Sequence, residues 1–324
     1  MDRCLLPYVT FLQEHDPAPF AEYILARELI GDETEAEDAY AWAKQFALYD
    51  DLAGEQREDG SWGAYLSAET ATSKNCRYKT TARALQRARD LALPAGDPAV
   101  VRARALLHRY LSGETSLPDT MSPRNFTQRA GIRRQALLDL SFYEPEDEQV
   151  MRFRSLLAER LEYACASGRF DRARWKAAGI EEPLRIGEAD ESVLPILAFP
   201  GCIGERLQRC LLAYLWEEWH FYGIVCCGDR YAPSDGEFHF WLLLLEQLRD
   251  FSLFPEFAAS QVLPALRMLC DRLIVPCERV EIKINRYHAQ YGQYSASWQT
   301  YARKRNDLLL RLLRTLRCAL VCRE

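Results

Sequence analysis

Gln56-Arg57-Glu58-Asp59-Gly60-Ser61-Trp62-Gly63 is the most specific local pattern in this chain. It lies between a helix that ends near Leu48 and another that begins near Tyr78. Each of its marked residues has a physical use. The amide of Gln56 can hydrogen-bond free backbone groups at a helix end. Gly60 permits a tight turn, and the indole of Trp62 offers a large apolar face to a neighbouring helix pair. The spacing predicts a structural corner built on Gln56, Gly60 and Trp62.

Outward from this corner, helical periodicity dominates. Asp32 with Glu35 forms a capping-box pattern ahead of Ala36, Tyr40, Ala43 and Ala47. Asp97-Pro98 reads as a cap followed by a first-turn proline. The stripe Val101, Leu106, Leu107, Tyr110, Leu111 then runs to a stop at Gly113. Pro145 with Glu146, Asp147 and Glu148 opens another helix, whose inner face is expected to carry Phe153, Leu156, Leu157 and Leu161. Further helices are expected near 20–30, 78–92, 128–142, 203–221, 237–250, 257–274 and 301–321. Gly54–Asn75, Ser112–Asn125 and Ser167–Glu191 read as loops. Val280–Ile284 alternates over five residues and reads as a short strand or a connection. The same helical grammar resumes after each loop, so the expectation is one all-α domain over residues 1–324.

Composition narrows the class. Of 324 residues, 48% are hydrophobic and 27% charged, the balance of a globular chain with a sizeable core. A formal charge of −6 argues against general nucleic-acid binding, which rewards a basic surface. No stretch is long and apolar enough for a membrane span, and Met1–Thr10 has no signal-like apolar run. The eleven cysteines are odd in number and contain no Cys-x-x-Cys pair. They are expected as reduced, buried thiols in a cytoplasmic protein.

The corner and its flanking helices resemble a known family. Gln-x-x-x-Gly-x-Trp between an outer and an inner helix is similar to the QW motif of the terpenoid cyclase and protein prenyltransferase superfamily. Thr80-Thr81-Ala82-Arg83-Ala84-Leu85 resembles the inner helix that follows the motif there, and Asp97–Leu111 resembles the next outer helix. The resemblance covers about residues 36–112. It implies an α/α toroid, in which helix pairs close around a central cavity. A stacked α-solenoid is the competing architecture.

The family's catalytic signatures do not carry over. Toroid cyclases protonate an alkene with Asp-x-Asp-Asp, which this sequence lacks; Asp50-Asp51 and Glu188-x-Asp190-Glu191 are its nearest groups. Prenyltransferases hold zinc with Asp-x-Cys and a distant His, and the sole Asp-x-Cys here is Asp2-Arg3-Cys4. Lanthipeptide cyclases use Cys-His-Gly, which Cys226-Cys227-Gly228-Asp229 only echoes. Glu217-x-x-His220 is half of a di-iron pattern without its second half. Neither a metal nor a cofactor is expected.

An aromatic cluster at 216–241 is the candidate pocket lining. Trp216, Trp219, Tyr222, Tyr231 and Trp241 are interleaved with His220, Asp229, Arg230 and His239, the make-up of an apolar small-molecule site with a few polar groups. Tyr78, Lys79 and Arg83, at the start of an inner helix, are candidates for its mouth, where an anion would find positive charge. Three readings stand together. The first is a binding protein that keeps the toroid and holds a small apolar or isoprenoid-like ligand. The second is an active cyclase or transferase with a non-standard site. The third is a carbohydrate-active α/α barrel using Glu205, Asp229 and Asp235. In the basic C-terminal helix, Arg311 and Arg314 are expected on a solvated face over a leucine seam.

Overall fold

A computed structural model of the chain describes residues 3–66, 78, 80–117, 126–178, 193–218, 238–275, 294–295 and 298–320. Among these residues there are fifteen α-helices and no strand, so the chain is all-α. In chain order they are α1 (Leu6–Glu14), α2 (Pro19–Ile24, continued by a π-helical turn Leu25–Ile30), α3 (Glu33–Ala43), α4 (Ala47–Gly54) and α5 (Thr81–Asp90). Next come α6 (Pro98–Leu111), α7 (Phe126–Ser141), α8 (Glu148–Ala164), α9 (Arg172–Ala177) and α10 (Leu194–Leu197). The series ends with α11 (Glu205–Glu218), α12 (Phe238–Leu248), α13 (Phe254–Gln261), α14 (Leu263–Ile274) and α15 (Tyr301–Leu320). No helix among the described residues is long and apolar enough to cross a membrane. Val280–Ile284 lies outside the described residues.

The helix starts follow their capping residues. Asp32 accepts the Glu35 amide at 2.9 Å, and Asp97 accepts the Ala99 amide at 2.8 Å just before Pro98. Asp147 accepts from Gln149 and Val150 to open α8. Gly113 ends α6 with φ +86°, a conformation that costs glycine nothing.

Other expectations are corrected. The helix expected through Ala47 stops at Ala43, and a separate α4 begins after the extended residue Phe46. The segment 257–274 is two helices, because Pro264 cannot donate to residue 260 and begins a new first turn. The loop 167–191 contains α9, capped by Asp171 and anchored by buried Trp175. Val101 and Leu156, placed on inner faces by the sequence, are each 47% exposed. The buried stripe of α6 is instead Ala99, Val100, Ala103, Leu106 and Leu107.

Packing groups the chain into two compact units. One is built on Ala43–Leu156. In it α5 packs on α6 and α7, and α6 on α7, through small and branched residues such as Ala84, Leu85, Ala103, Leu107, Ala136 and Leu140. The other is built on Met1–Trp42, Leu157–Ala178 and Leu184–Glu324, with α15 at its centre. Helices α1, α12, α13 and α14 and the π-helical turn all pack on α15. Leu308, Leu309, Leu310, Leu312 and Leu313 are all buried, each worth about 2 kcal/mol of burial. Because neighbours surround this helix, Arg311 and Arg314 do not reach a solvated face. Arg311 donates to both oxygens of Glu246 at 2.7 and 2.6 Å. Arg314 does the same to Glu28 at 2.6 and 2.8 Å. Each charge is paired, which is the condition for burying it.

Candidate functional site

The Gln56–Trp62 stretch is a built corner within the first unit. Gly60 adopts φ +91° and presses on α6, where an added Cβ would lie 2.8 Å from the carbonyl carbon of Arg102 and closer still to its oxygen. Only glycine fits both constraints. Gln56 Nε2 donates to the Gly60 carbonyl at 3.0 Å and to the Ala99 carbonyl, in the first turn of α6, at 2.8 Å. Gln56 Oε1 accepts from Arg102 Nε at 2.8 Å. Trp62 is 4% exposed; its indole donates to the Leu52 carbonyl at 2.6 Å and its amide donates to Thr81 Oγ1 at 3.0 Å. One short stretch thereby holds the end of α4, the start of α5 and the start of α6.

The start of α5 is closed by its own surroundings. Thr81 and Ala82 donate their amides to the Ala64 and Tyr65 carbonyls, and Thr80 caps the Arg83 amide. The first three amides of the helix are already used, so an anion at this end would rely on side chains. Tyr78 is buried and its amide donates to Glu55 Oε2 at 2.9 Å. Arg83 is half-buried, and Lys79 lies outside the described residues.

Between α5 and α7 lies a buried polar centre that the sequence reading missed. Asp139 on α7 is 0% exposed. It accepts from Tyr65 Oη at 2.8 Å, from Gln135 Nε2 at 3.1 Å and from the Arg89 guanidinium of α5. Arg89 in turn donates to Gln86 Oε1 at 2.5 Å and lies 4.2 Å from the centre of the Phe142 ring. Burial pushes the Asp139 carboxyl above the usual aspartate range, against the downward pull of Arg89, Tyr65 and Gln135. Burial likewise raises the hydroxyls of Tyr65 and Tyr143. The buried Tyr143 hydroxyl finds no hydrogen-bond partner among the described residues. A buried carboxyl with a raised pKa, held by three donors, can anchor a polar group or take part in proton transfer. The available signal was polar residues at helical spacing, Gln86 with Arg89 and Gln135 with Asp139, inside otherwise apolar stripes.

A second cluster in the same unit joins His108, Glu144 and Asp147, near enough to one another to share an ion. Glu144 Oε2 lies 2.6 Å from His108 Nε2, and Asp147 Oδ2 lies 3.9 Å from Nδ1. The two carboxylates therefore address opposite sides of the imidazole. Arg104 also holds Glu144. Burial pushes the Glu144 carboxyl up, but Arg104 and His108 outweigh it and hold it below the usual range. Arg104 thus offsets part of the cluster's negative charge.

The expected pocket lining is placed only in part. Trp216 on α11 is buried, with its ring near-perpendicular to that of Phe257 at 5.5 Å between centres, and Trp241 on α12 is fully buried. Both belong to the second unit. Trp219, His220, Tyr222, Asp229, Arg230, Tyr231 and Asp235 lie outside the described residues, as does the side chain of His239. Glu205, offered as a carbohydrate-site acid, is exposed and pairs with Arg209 at 3.4 Å. An open groove of about 580 Å³ runs along α14, between Leu263, Arg267, Asp271 and Val275, and contains none of the residues expected at a pocket. Comparison with known protein families, with curated proteins and with solved structures finds no match for this chain, so its own geometry carries the functional reading.

Proposed function

We propose that this chain is a helix-pair protein of the terpenoid cyclase and prenyltransferase toroid type that binds a small apolar, isoprenoid-like molecule without the cyclase or transferase chemistry of that superfamily. The observation that carries this is the Gln56 corner. Its amide bridges Gly60 and the first turn of α6, and Trp62 closes the end of α4. We take this corner, set between α4, α5 and α6, as the counterpart of the motif it resembles. Closure of the pairs into a ring, and a guest within it, belong to the proposal. The loss of chemistry is supported by the sequence, which lacks the Asp-x-Asp-Asp and Cys-His-Gly signatures and has Asp-x-Cys only at Asp2–Cys4. A thermal-shift panel of farnesyl diphosphate, geranylgeranyl diphosphate and squalene tests it. Stabilisation by at least one, with no product formed, is expected; no shift with any of them would overturn it.

Asp139 favours a second reading, an active cyclase or transferase with a non-standard acid. A carboxyl kept above its usual range by burial is the kind of group that protonates an alkene. On this reading an isoprenoid is converted to product, and Asp139→Asn removes turnover while leaving the thermal shift in place. Absence of any product from the unaltered chain rejects it.

A further inference from the structure

Cys165 directly follows α8, and Cys210 lies in the second turn of α11; both belong to the same unit. Their side chains are buried, at 0% and 8% exposure. The Cys210 thiol donates to Cys165 Sγ across 2.7 Å. Independent contacts hold this meeting point. Arg206, one turn before Cys210, donates to the Cys165 carbonyl at 3.2 Å and ion-pairs with Glu162 on α8. The turn after Cys165 is closed by the amides of Gly168 and Asp171, which donate to the Cys165 and Ala164 carbonyls at 2.9 Å. The ring of Phe170 packs on Tyr214, 4.2 Å between centres, one turn beyond Cys210. Two thiols in contact across separately anchored elements can bond without the backbone movement that distant cysteines need.

We propose that Cys165 and Cys210 are a dithiol–disulfide pair, a modification site that joins the end of α8 to α11. The oxidant is a small-molecule disulfide. The Cys210 thiolate, on the more exposed of the two residues, attacks one of its sulfurs, forming a mixed disulfide and expelling one thiolate. The Cys165 thiolate then attacks Cys210 Sγ, forming the intramolecular bond and expelling the second. The two cysteine protons go to the released thiolates, and the pair's two electrons reduce the small disulfide to two thiols. Burial and the adjoining Cys210 thiol push the Cys165 thiol well above its usual range, which suits it to react second. The bond would close a loop spanning 45 positions and restrict the unfolded chain.

The test treats the full-length chain with oxidised glutathione, blocks remaining thiols with iodoacetamide and maps peptides without reduction. A cross-linked peptide containing Cys165 and Cys210 is expected, with a Tm about 5 °C above that of the reduced protein. Cys210→Ala and Cys165→Ser should each remove the peptide and that rise. If one variant does not fold, the map of the unaltered chain and the other variant still decide. Recovery of both residues alkylated from a protein with native circular dichroism overturns the proposal, as does either residue joined only to another cysteine.

Discussion

The indole of Trp62 donates to the Leu52 carbonyl at 2.6 Å, ten positions back along the chain and inside the apolar interior. Leu52 lies in the last turn of α4, where carbonyls have no partner within the helix, so a side chain beyond its end completes it. Trp62→Ala removes both a buried ring and this bond and should cost about 4 kcal/mol. Trp62→Phe keeps most of the packing and should cost about 2 kcal/mol, chiefly through the stranded carbonyl. Urea unfolding of both variants measures the two costs, and a Trp62→Phe cost near zero would mean that the bond contributes little.

Gly60 makes a sharper demand. An alanine there meets a left-handed backbone and the Arg102 carbonyl together, so Gly60→Ala should cost about 2 kcal/mol or more. Gly31 also has positive φ but has open space at its Cβ position. Gly31→Ala should therefore cost about 1 kcal/mol, the conformational part alone. Comparing the two by thermal unfolding separates close approach from backbone preference.

Asp139 links residues far apart in the chain, since Tyr65 and Arg89 lie 74 and 50 positions away. Asp139→Ala leaves the Arg89 guanidinium, 9% exposed, without its carboxylate and should cost about 3 kcal/mol. Tyr65→Phe removes one neutral donor and should cost about 1 kcal/mol. The Asp139 value lies above that of an unfolded aspartate, so the protonated form is favoured by folding and that contribution fades as pH rises through the raised value. The stability of Asp139→Asn relative to the unaltered protein should therefore improve with increasing pH, as denaturant titration at several pH values would show.

The contrast between these two sites explains what could be read in the sequence. The corner was legible because its glycine, its tryptophan and its helix boundaries lie within a few residues of one another. Caps at Asp32 and Asp97 were legible for the same reason: a carboxylate reaches amides two or three positions ahead. The Asp139 centre was not, although both of its helices were expected, because pairing Arg89 with Asp139 is a tertiary event. Val101 and Leu156 show a related failure. An apolar residue type does not fix the phase of a helix when neighbours, not composition, choose which stripe is covered. Arg311 and Arg314 read as a solvated face because their partners, Glu246 and Glu28, lie 65 and 286 positions away.

Glu246 provides a pH test in the other unit. Burial pushes its carboxyl up, but the charge and hydrogen bonds of Arg311, with help from Arg249 and Arg314, outweigh this and hold it below the usual glutamate range. A lowered folded-state value stabilises the fold above the ordinary glutamate pKa and loses that contribution as pH falls. Glu246→Gln should therefore cost about 2 kcal/mol at neutral pH, with the difference shrinking below about pH 4. Chemical denaturation between pH 3 and pH 7 would show this convergence, and a constant gap across that range would contradict it.

The central claim is that the chain carries an apolar guest, and equilibrium binding measures this most directly. Purified full-length protein is titrated with radiolabelled farnesyl diphosphate, geranylgeranyl diphosphate and squalene under non-denaturing conditions. The account predicts saturable binding of at least one of them at one site per chain, competed by the unlabelled compound. Bound label that stays proportional to its concentration for all three, with protein whose circular dichroism remains helical, would contradict it.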